Sequence, residues 1–190
     1  MLLISITANL EQGMRIRIHL FLSMLMLVAL SACSTVTTTD KISVSANQPW
    51  VLLPINNLST TPRAGEKTNA MVETHLRSRG VSSLKTYSTP EGLNLVSLLD
   101  TDREINDAIK WGRDNGMRYG MTGTVHEWHY KSGPDKEPAV GMSLKLIDLS
   151  TEKVVWQATT AKTGWGYANV SGVANKTVKR LLKQINISGK

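Results

Sequence analysis

Hydrophobic positions change period several times along this chain, and each change marks an element. Leu20 to Leu30 is an uncharged, mostly apolar run, followed by a stretch from Ser34 to Pro49 rich in serine, threonine and other polar residues. Trp50-Val51-Leu52-Leu53-Pro54-Ile55 is short and nearly continuous in apolar residues, the mark of a strand buried on both faces. Asn56 to Pro62 supplies turn residues. From Ala64 to Arg79, apolar or small side chains at Ala64, Thr68, Met71, Val72, His75 and Leu76 fall at helical spacing, and Gly80 is a natural stop. Val81 to Tyr87 reads as a weak second strand.

Thr101-Asp102-Arg103-Glu104 has the form of a capping box. Ile105, Ala108, Ile109 and Gly112 continue the buried stripe to a stop at Gly116. Three strand-like segments follow. Tyr119 to Tyr130 alternates Val125, Glu127 and His129 against His126, Trp128 and Tyr130. Val140 to Leu149 alternates Met142, Leu144 and Leu146 against Ser143, Lys145 and Ile147. Lys153 to Thr163 begins Val154-Val155-Trp156. Ser132-Gly133-Pro134-Asp135 and Asp148 to Glu152 carry the residues of hairpin connections. Val170, Val173, Ala174, Thr177, Val178, Leu181, Leu182 and Ile185 form the cleanest helical stripe in the chain. The order is βαβαβββα, which predicts a single-domain α/β sandwich, a mixed sheet with helices packed on it, over residues 50–190.

The N-terminal apolar run acquires meaning from its flanks. Arg15 and Arg17 precede it, and Ser31, Ala32 and Cys33 end it, which is the layout of a secretory signal. Leu30-Ser31-Ala32-Cys33 resembles the lipobox of bacterial lipoproteins, in which the cysteine thiol takes a diacylglycerol before cleavage. Residues 1–32 are therefore expected to be the signal, with Met14 the better start, and residues 33–49 a lipidated flexible tether. A transmembrane helix would want about 20 apolar residues, and this run is shorter. Cys33 is the chain's single cysteine, so no internal disulfide is available in an oxidising compartment, and lipidation disposes of the free thiol. The residue after it is Ser34 rather than an inner-membrane-retaining aspartate, so the expected address is the outer membrane, lipid-anchored on its periplasmic side.

Charge narrows the partners. The chain carries 22 Lys and Arg against 15 Asp and Glu, a formal +7, and loss of Arg15, Arg17 and Glu11 with the signal leaves the balance basic. An exported protein does not meet nucleic acid, so outer-membrane lipid head groups are the expected bulk partner. His126-Glu127-Trp128-His129 has i, i+3 histidines on a strand, whereas zinc-protease histidines need i, i+4 spacing on a helix. The acids Asp100, Asp102, Glu104 and Asp107 are explained by a helix start. No Gly-x-Ser-x-Gly elbow, spare cysteine or glycine-rich phosphate loop occurs. The reading is non-enzymatic, with no cofactor other than covalent lipid on Cys33 and no metal. Thr163-Gly164-Trp165-Gly166-Tyr167 is the distinctive segment: large aromatics between glycines have little cover, and Trp and Tyr favour the membrane–water interface. Trp165 and Tyr167 are accordingly the candidate membrane-facing residues, packing of Trp165 on the final helix being the alternative.

Several segments together resemble the PelC family of outer-membrane lipoproteins of Pel exopolysaccharide export. They are Trp50 to Asn57 with Thr61 to Glu66, Thr122 to Gly133, Thr163 to Gly166, and Ser171-Gly172-Val173-Ala174. The resemblance covers the domain from Trp50 to the last helix, and implies a fold similar to CsgG and the N-terminal domain of TolB. It also implies a homo-oligomeric ring, a dodecamer, on the periplasmic side of the outer membrane below a β-barrel export protein. Such a ring guides a cationic, partly deacetylated exopolysaccharide to the pore. Carried over by position, Trp165 matches a family tryptophan at the membrane face, and Asp135 an acidic position on the polymer-facing side. A basic chain is an odd collector of a cationic polymer unless its acids are segregated toward the channel. The alternative function is a monomeric periplasmic adaptor lipoprotein regulating an envelope enzyme or complex, since one fold serves several roles.

Overall fold

The computed structural model describes residues 17, 19, 36–39, 41–88, 101–133, 135–165 and 167–189, with the backbone alone at 101 and 102. The chain divides at Ser34, and the fold described below belongs to the unit from Thr35 to Lys190. Cys33, Gly166 and all of the expected signal except Arg17 and His19 lie outside the described residues.

Eight strands and three helices occur among the described residues. In chain order they are β1 (Val36–Thr38), β2 (Ser43–Ser45), β3 (Trp50–Asn57), α1 (Ala64–Arg77), β4 (Leu84–Thr86) and α2 (Thr101–Asp114). They continue with β5 (Tyr119–Tyr130), β6 (Pro138–Asp148), β7 (Lys153–Thr163), α3 (Val170–Leu182) and β8 (Asn186–Ser188). Six strands form one mixed sheet in the order β1-β7-β6-β5-β3-β4. β3 runs parallel to β4 and β5, while the β5–β6, β6–β7 and β1–β7 pairs are antiparallel. The expected single α/β domain with helices on a mixed sheet is what the chain forms.

The continuous apolar run of β3 is explained by two cores. Trp50, Leu52 and Ile55 point to the face covered by α1 and α3, where they meet Val72, Leu76, Val178 and Leu181. Val51 and Leu53 point to the other face, where α2 brings Ala108 and, at the edge, Ile109 and Trp111. A strand covered on both sides needs no polar alternation. The helix ends follow their glycines: Gly80 (φ 90°) and Gly116 (φ 69°) occupy the left-handed region that terminates α1 and α2. The Asn56 to Pro62 turn is held by Asn57, whose Oδ1 accepts from the Ser59 amide at 3.1 Å and whose Nδ2 donates to the Thr61 carbonyl at 2.9 Å.

Two expectations are corrected. Residues 33–49 were expected to be tether throughout, but β1 and β2 lie within them. β2 pairs in parallel with the C-terminal β8, and Val44 and Ala46 enter the main core. These strands are three residues long and their partners lie far along the chain, so no local hydrophobic period marks them. In β5, a bulge between Val125 and Glu127 breaks the expected alternation. Val125 and Trp128 both face the α1–α3 core, while His126 is exposed and pairs through Nε2 with Ser143 Oγ at 2.7 Å. No described helix is long and apolar enough to cross a membrane.

Candidate functional site: an aromatic rim at one end of the sheet

The connection from β7 to α3 is short and tightly braced. Gly164 N–H donates to the Pro138 carbonyl at 2.7 Å, and a Cβ at Gly164 would meet Pro138, Val173 and Ala168 within 2.6 to 2.9 Å. Only glycine lets the backbone pass so close, and that passage turns the next residue outward. Trp165 is 89% exposed and Tyr167 fully exposed. Packing of Trp165 on the final helix is thus not what the chain adopts. The turn closes with Ala168 N–H on the Trp165 carbonyl at 3.2 Å. Asn169 then caps α3, its Oδ1 accepting from the Gly172 amide at 2.7 Å. A second orphan amide of that helix end, Val170 N–H, donates to Tyr130 Oη at 3.2 Å, which ties the aromatic loop to the end of β5.

Tyr130 is half exposed and belongs to the same rim, a residue the sequence did not single out. The available signal was its position at the end of a strand beside a glycine-containing hairpin, but the bulge at His126 hid which way it faced.

The β5–β6 hairpin, residues 131–137, projects from this same end, because Tyr130 pairs with Pro138 and Ala139 with Thr163. Lys131 N–H donates to the Glu137 carbonyl at 2.8 Å, and Lys131 Nζ lies 3.4 Å from Glu137 Oε2. Gly133 (φ 139°) and Lys136 (φ 41°) turn the chain, and Asp135 sits exposed between them. The hairpin's two lysines balance its two acids, so Asp135 carries no net negative patch within one chain. Trp165, Tyr167 and Asp135 therefore share one end of the sheet, on two loops joined through Gly164 and Pro138.

The remaining singled-out residues lie elsewhere. His75 bridges helices, its Nε2 being 2.8 Å from Asn175 Oδ1. His129 is exposed, and no cluster of three or more potential metal ligands occurs among the described residues. At the opposite end of the sheet, Asp148 accepts from the Ser150 amide and hydroxyl at 3.0 and 2.7 Å and faces Arg118 Nη2 at 2.6 Å. Burial pushes the Asp148 carboxyl up, but the Ser150 hydrogen bonds and the Arg118 charge outweigh it and hold the carboxyl below its ordinary value.

Fold and rim together define a small α/β domain whose distinctive chemistry is a projecting aromatic edge braced by two loops. In three dimensions it resembles PelC. The PelC dodecamer of Paraburkholderia phytofirmans superposes with a TM-score of 0.68 at 29% identity, covering 82% of this chain and 99% of that one. A single-substitution variant of that dodecamer superposes at 0.69, with the same identity and coverage. The resemblance drawn from the sequence thus extends to the whole domain. No family model matches the chain, and no curated protein matches it in sequence.

Proposed function

We propose that this chain is a lipoprotein of polysaccharide export. It assembles with copies of itself into a ring on the periplasmic side of the outer membrane. There the ring guides a cationic exopolysaccharide of the Pel type toward an outer-membrane β-barrel. The observation that carries this reading is the match to a dodecamer over 99% of that protein's chain. In this role Cys33 is the lipidated anchor, Trp165 and Tyr167 meet the membrane, and Asp135 faces the polymer.

The exposed rim supports the membrane role on physical grounds. A tryptophan left 89% exposed in water is costly to solubility and profitable at a bilayer interface, where its ring is half desolvated. The balanced charge of the Asp135 loop bears on the polymer role. One subunit offers little field, so attraction for a cationic chain has to come from the repetition of Asp135 around a ring. No step of bond making is required, and the role is non-enzymatic.

The test is the solution mass of the soluble domain, by light scattering or native mass spectrometry, combined with export of polymer in cells lacking the protein. A mass many times that of the monomer together with restored export supports the ring. A monomer at micromolar concentration that nonetheless activates an envelope enzyme would replace it with the adaptor.

A further inference from the structure

We propose that copies of this chain pack face to back in the ring. The outer side of α3 lies on the reverse face of the next copy's sheet, and Lys176 of one copy stands against Glu127 of the next. This inference rests on the ring reading and adds to it the contact from which the ring is built.

The two faces of the sheet are unlike. α1 and α3 cover one of them, over Met121, Val125, Met142, Leu144, Trp156 and Ala158. On the reverse face α2 packs with Val51, Leu53, Ile147 and Leu149, around β3 and the far end of the sheet. The antiparallel strands beyond it carry only short or polar side chains there: Thr124 and Glu127 on β5, Gly141 and Ser143 on β6, Thr159 and Ala161 on β7. Glu127, Thr159 and Ala161 are exposed. The bulge after Val125 brings Glu127 to this face, where it lies across Gly141. A Cβ at Gly141 would stand 3.5 Å from Glu127 Cβ and 3.6 Å from Oε2, so the missing side chain leaves the carboxylate open. Hydrogen bonds fix the surface in advance: His126 Nε2 lies 2.7 Å from Ser143 Oγ, which lies 2.9 Å from Thr159 Oγ1. Three strands about 4.8 Å apart, with residues about 3.3 Å apart along each, make a flat area of roughly 500 Å². That is the larger part of the about 800 Å² per partner that a stable interface buries.

The outer side of α3 is its complement. The helix contains no acid, and its Val173, Ala174, Thr177, Val178, Leu181 and Leu182 are buried against the sheet. At about 3.6 residues per turn, Lys176, Lys179 and Lys183 stand on the opposite side, and all three are exposed. Among the described residues neither Lys176 nor Glu127 forms an ion pair, whereas Arg63, Arg77, Arg113 and Arg118 each lie against a carboxylate. A closed ring needs two different surfaces of one chain that fit each other, and a cationic helix opposite a face with an open carboxylate supplies them.

The heights also agree. The rim end of every copy meets the membrane in the ring reading, so the ring axis runs along the strands and touching residues lie at equal depth below the rim. Val170 is level with Tyr130, to whose Oη its amide donates at 3.2 Å. Glu127 lies three residues back along β5, about 10 Å below that level. Lys176 lies six residues along α3, about 9 Å below it. The cation of the reverse face, Lys145, sits much deeper, opposite Thr122.

Charge exchange tests the contact. The full chain, purified from membranes in detergent, is followed by analytical ultracentrifugation as it is diluted. Wild type is expected to sediment as the ring. Glu127→Lys and Lys176→Glu each set like charges across every contact. Each should raise the concentration at which the ring half-dissociates by about tenfold or more, with an unchanged melting curve for the domain. The double variant Glu127→Lys/Lys176→Glu restores opposite charges and is expected to recover the wild-type value. Unchanged dissociation in both single variants overturns the contact and leaves the ring standing. Weakening in the single variants without recovery in the double variant overturns the pairing of these two residues. Wild type that sediments as a monomer overturns the ring reading, and the contact with it.

Discussion

Gly164 donates its amide to the Pro138 carbonyl at 2.7 Å, and through that bond the loop bearing Trp165 is fixed to the base of the hairpin bearing Asp135. A Cβ at Gly164 has no room, since Pro138 Cγ would lie 2.6 Å away and Val173 Cγ2 2.8 Å. Gly164→Ala should therefore cost about 1–3 kcal/mol by overpacking and should loosen the rim. Denaturant unfolding of the soluble domain measures the first. An unchanged midpoint would mean that the loop shifts freely and that the brace is not needed.

Trp165 and Trp128 make a controlled comparison. Trp165 projects into solvent, so Trp165→Ala should change stability by no more than about 0.5 kcal/mol while weakening binding to vesicles. Trp128 is 2% exposed in the core of the same sheet, and Trp128→Ala should cost about 3–5 kcal/mol. A loss of that size at Trp165 would place it in a packed environment instead.

Cys33→Ser removes the proposed acyl acceptor. The substituted protein should lose acyl label and leave the membrane fraction, accumulating as soluble or uncleaved material. Continued acylation and membrane fractionation in that variant would sink the lipoprotein reading.

Asp135 tests the proposed polymer-facing role. Its loop is charge-balanced in one chain, so reversal should matter more than neutralisation: Asp135→Lys should reduce polymer export more than Asp135→Asn, with oligomer mass unchanged in both. Exposed charges are screened over about 8 Å at physiological ionic strength, so the difference between the two variants should shrink as salt is raised. Export from the lysine variant equal to wild type would remove Asp135 from the mechanism.

Asp148 gives a pH dependence with a definite sign. Its carboxyl is held below the ordinary value, so its contribution to stability is fully present above the unfolded-chain value of about 3.9 and is lost as pH falls through the lowered folded value. Asp148→Asn should lower the melting temperature at neutral pH, and the gap to wild type should close in acid below about pH 4. A gap that persists unchanged at low pH would assign the effect to lost turn geometry rather than to the carboxylate.

Much of this molecule was determined by short-range pattern. The apolar run of β3, the helical stripes of α1 to α3 and the stops at Gly80 and Gly116 each lie within one element. They follow from side-chain period and from the backbone freedom of glycine, which neighbours along the chain are enough to express. Within the candidate site, the pairing of large aromatics with glycines at 164–167 was legible for the same reason. Three features needed the folded molecule. β1, β2 and β8 are three-residue strands whose partners lie more than a hundred residues away, and so carry no local signature. The bulge beyond Val125 moves His126 away from the face that Trp128 occupies, and only the pairing of β5 with β6 reveals it. The meeting of the Trp165 and Asp135 loops at one end of the sheet depends on the register of Ala139 opposite Thr163. Register arises from which distant strands pair and in what alignment, a choice made by the packing of the whole sheet rather than by any segment alone.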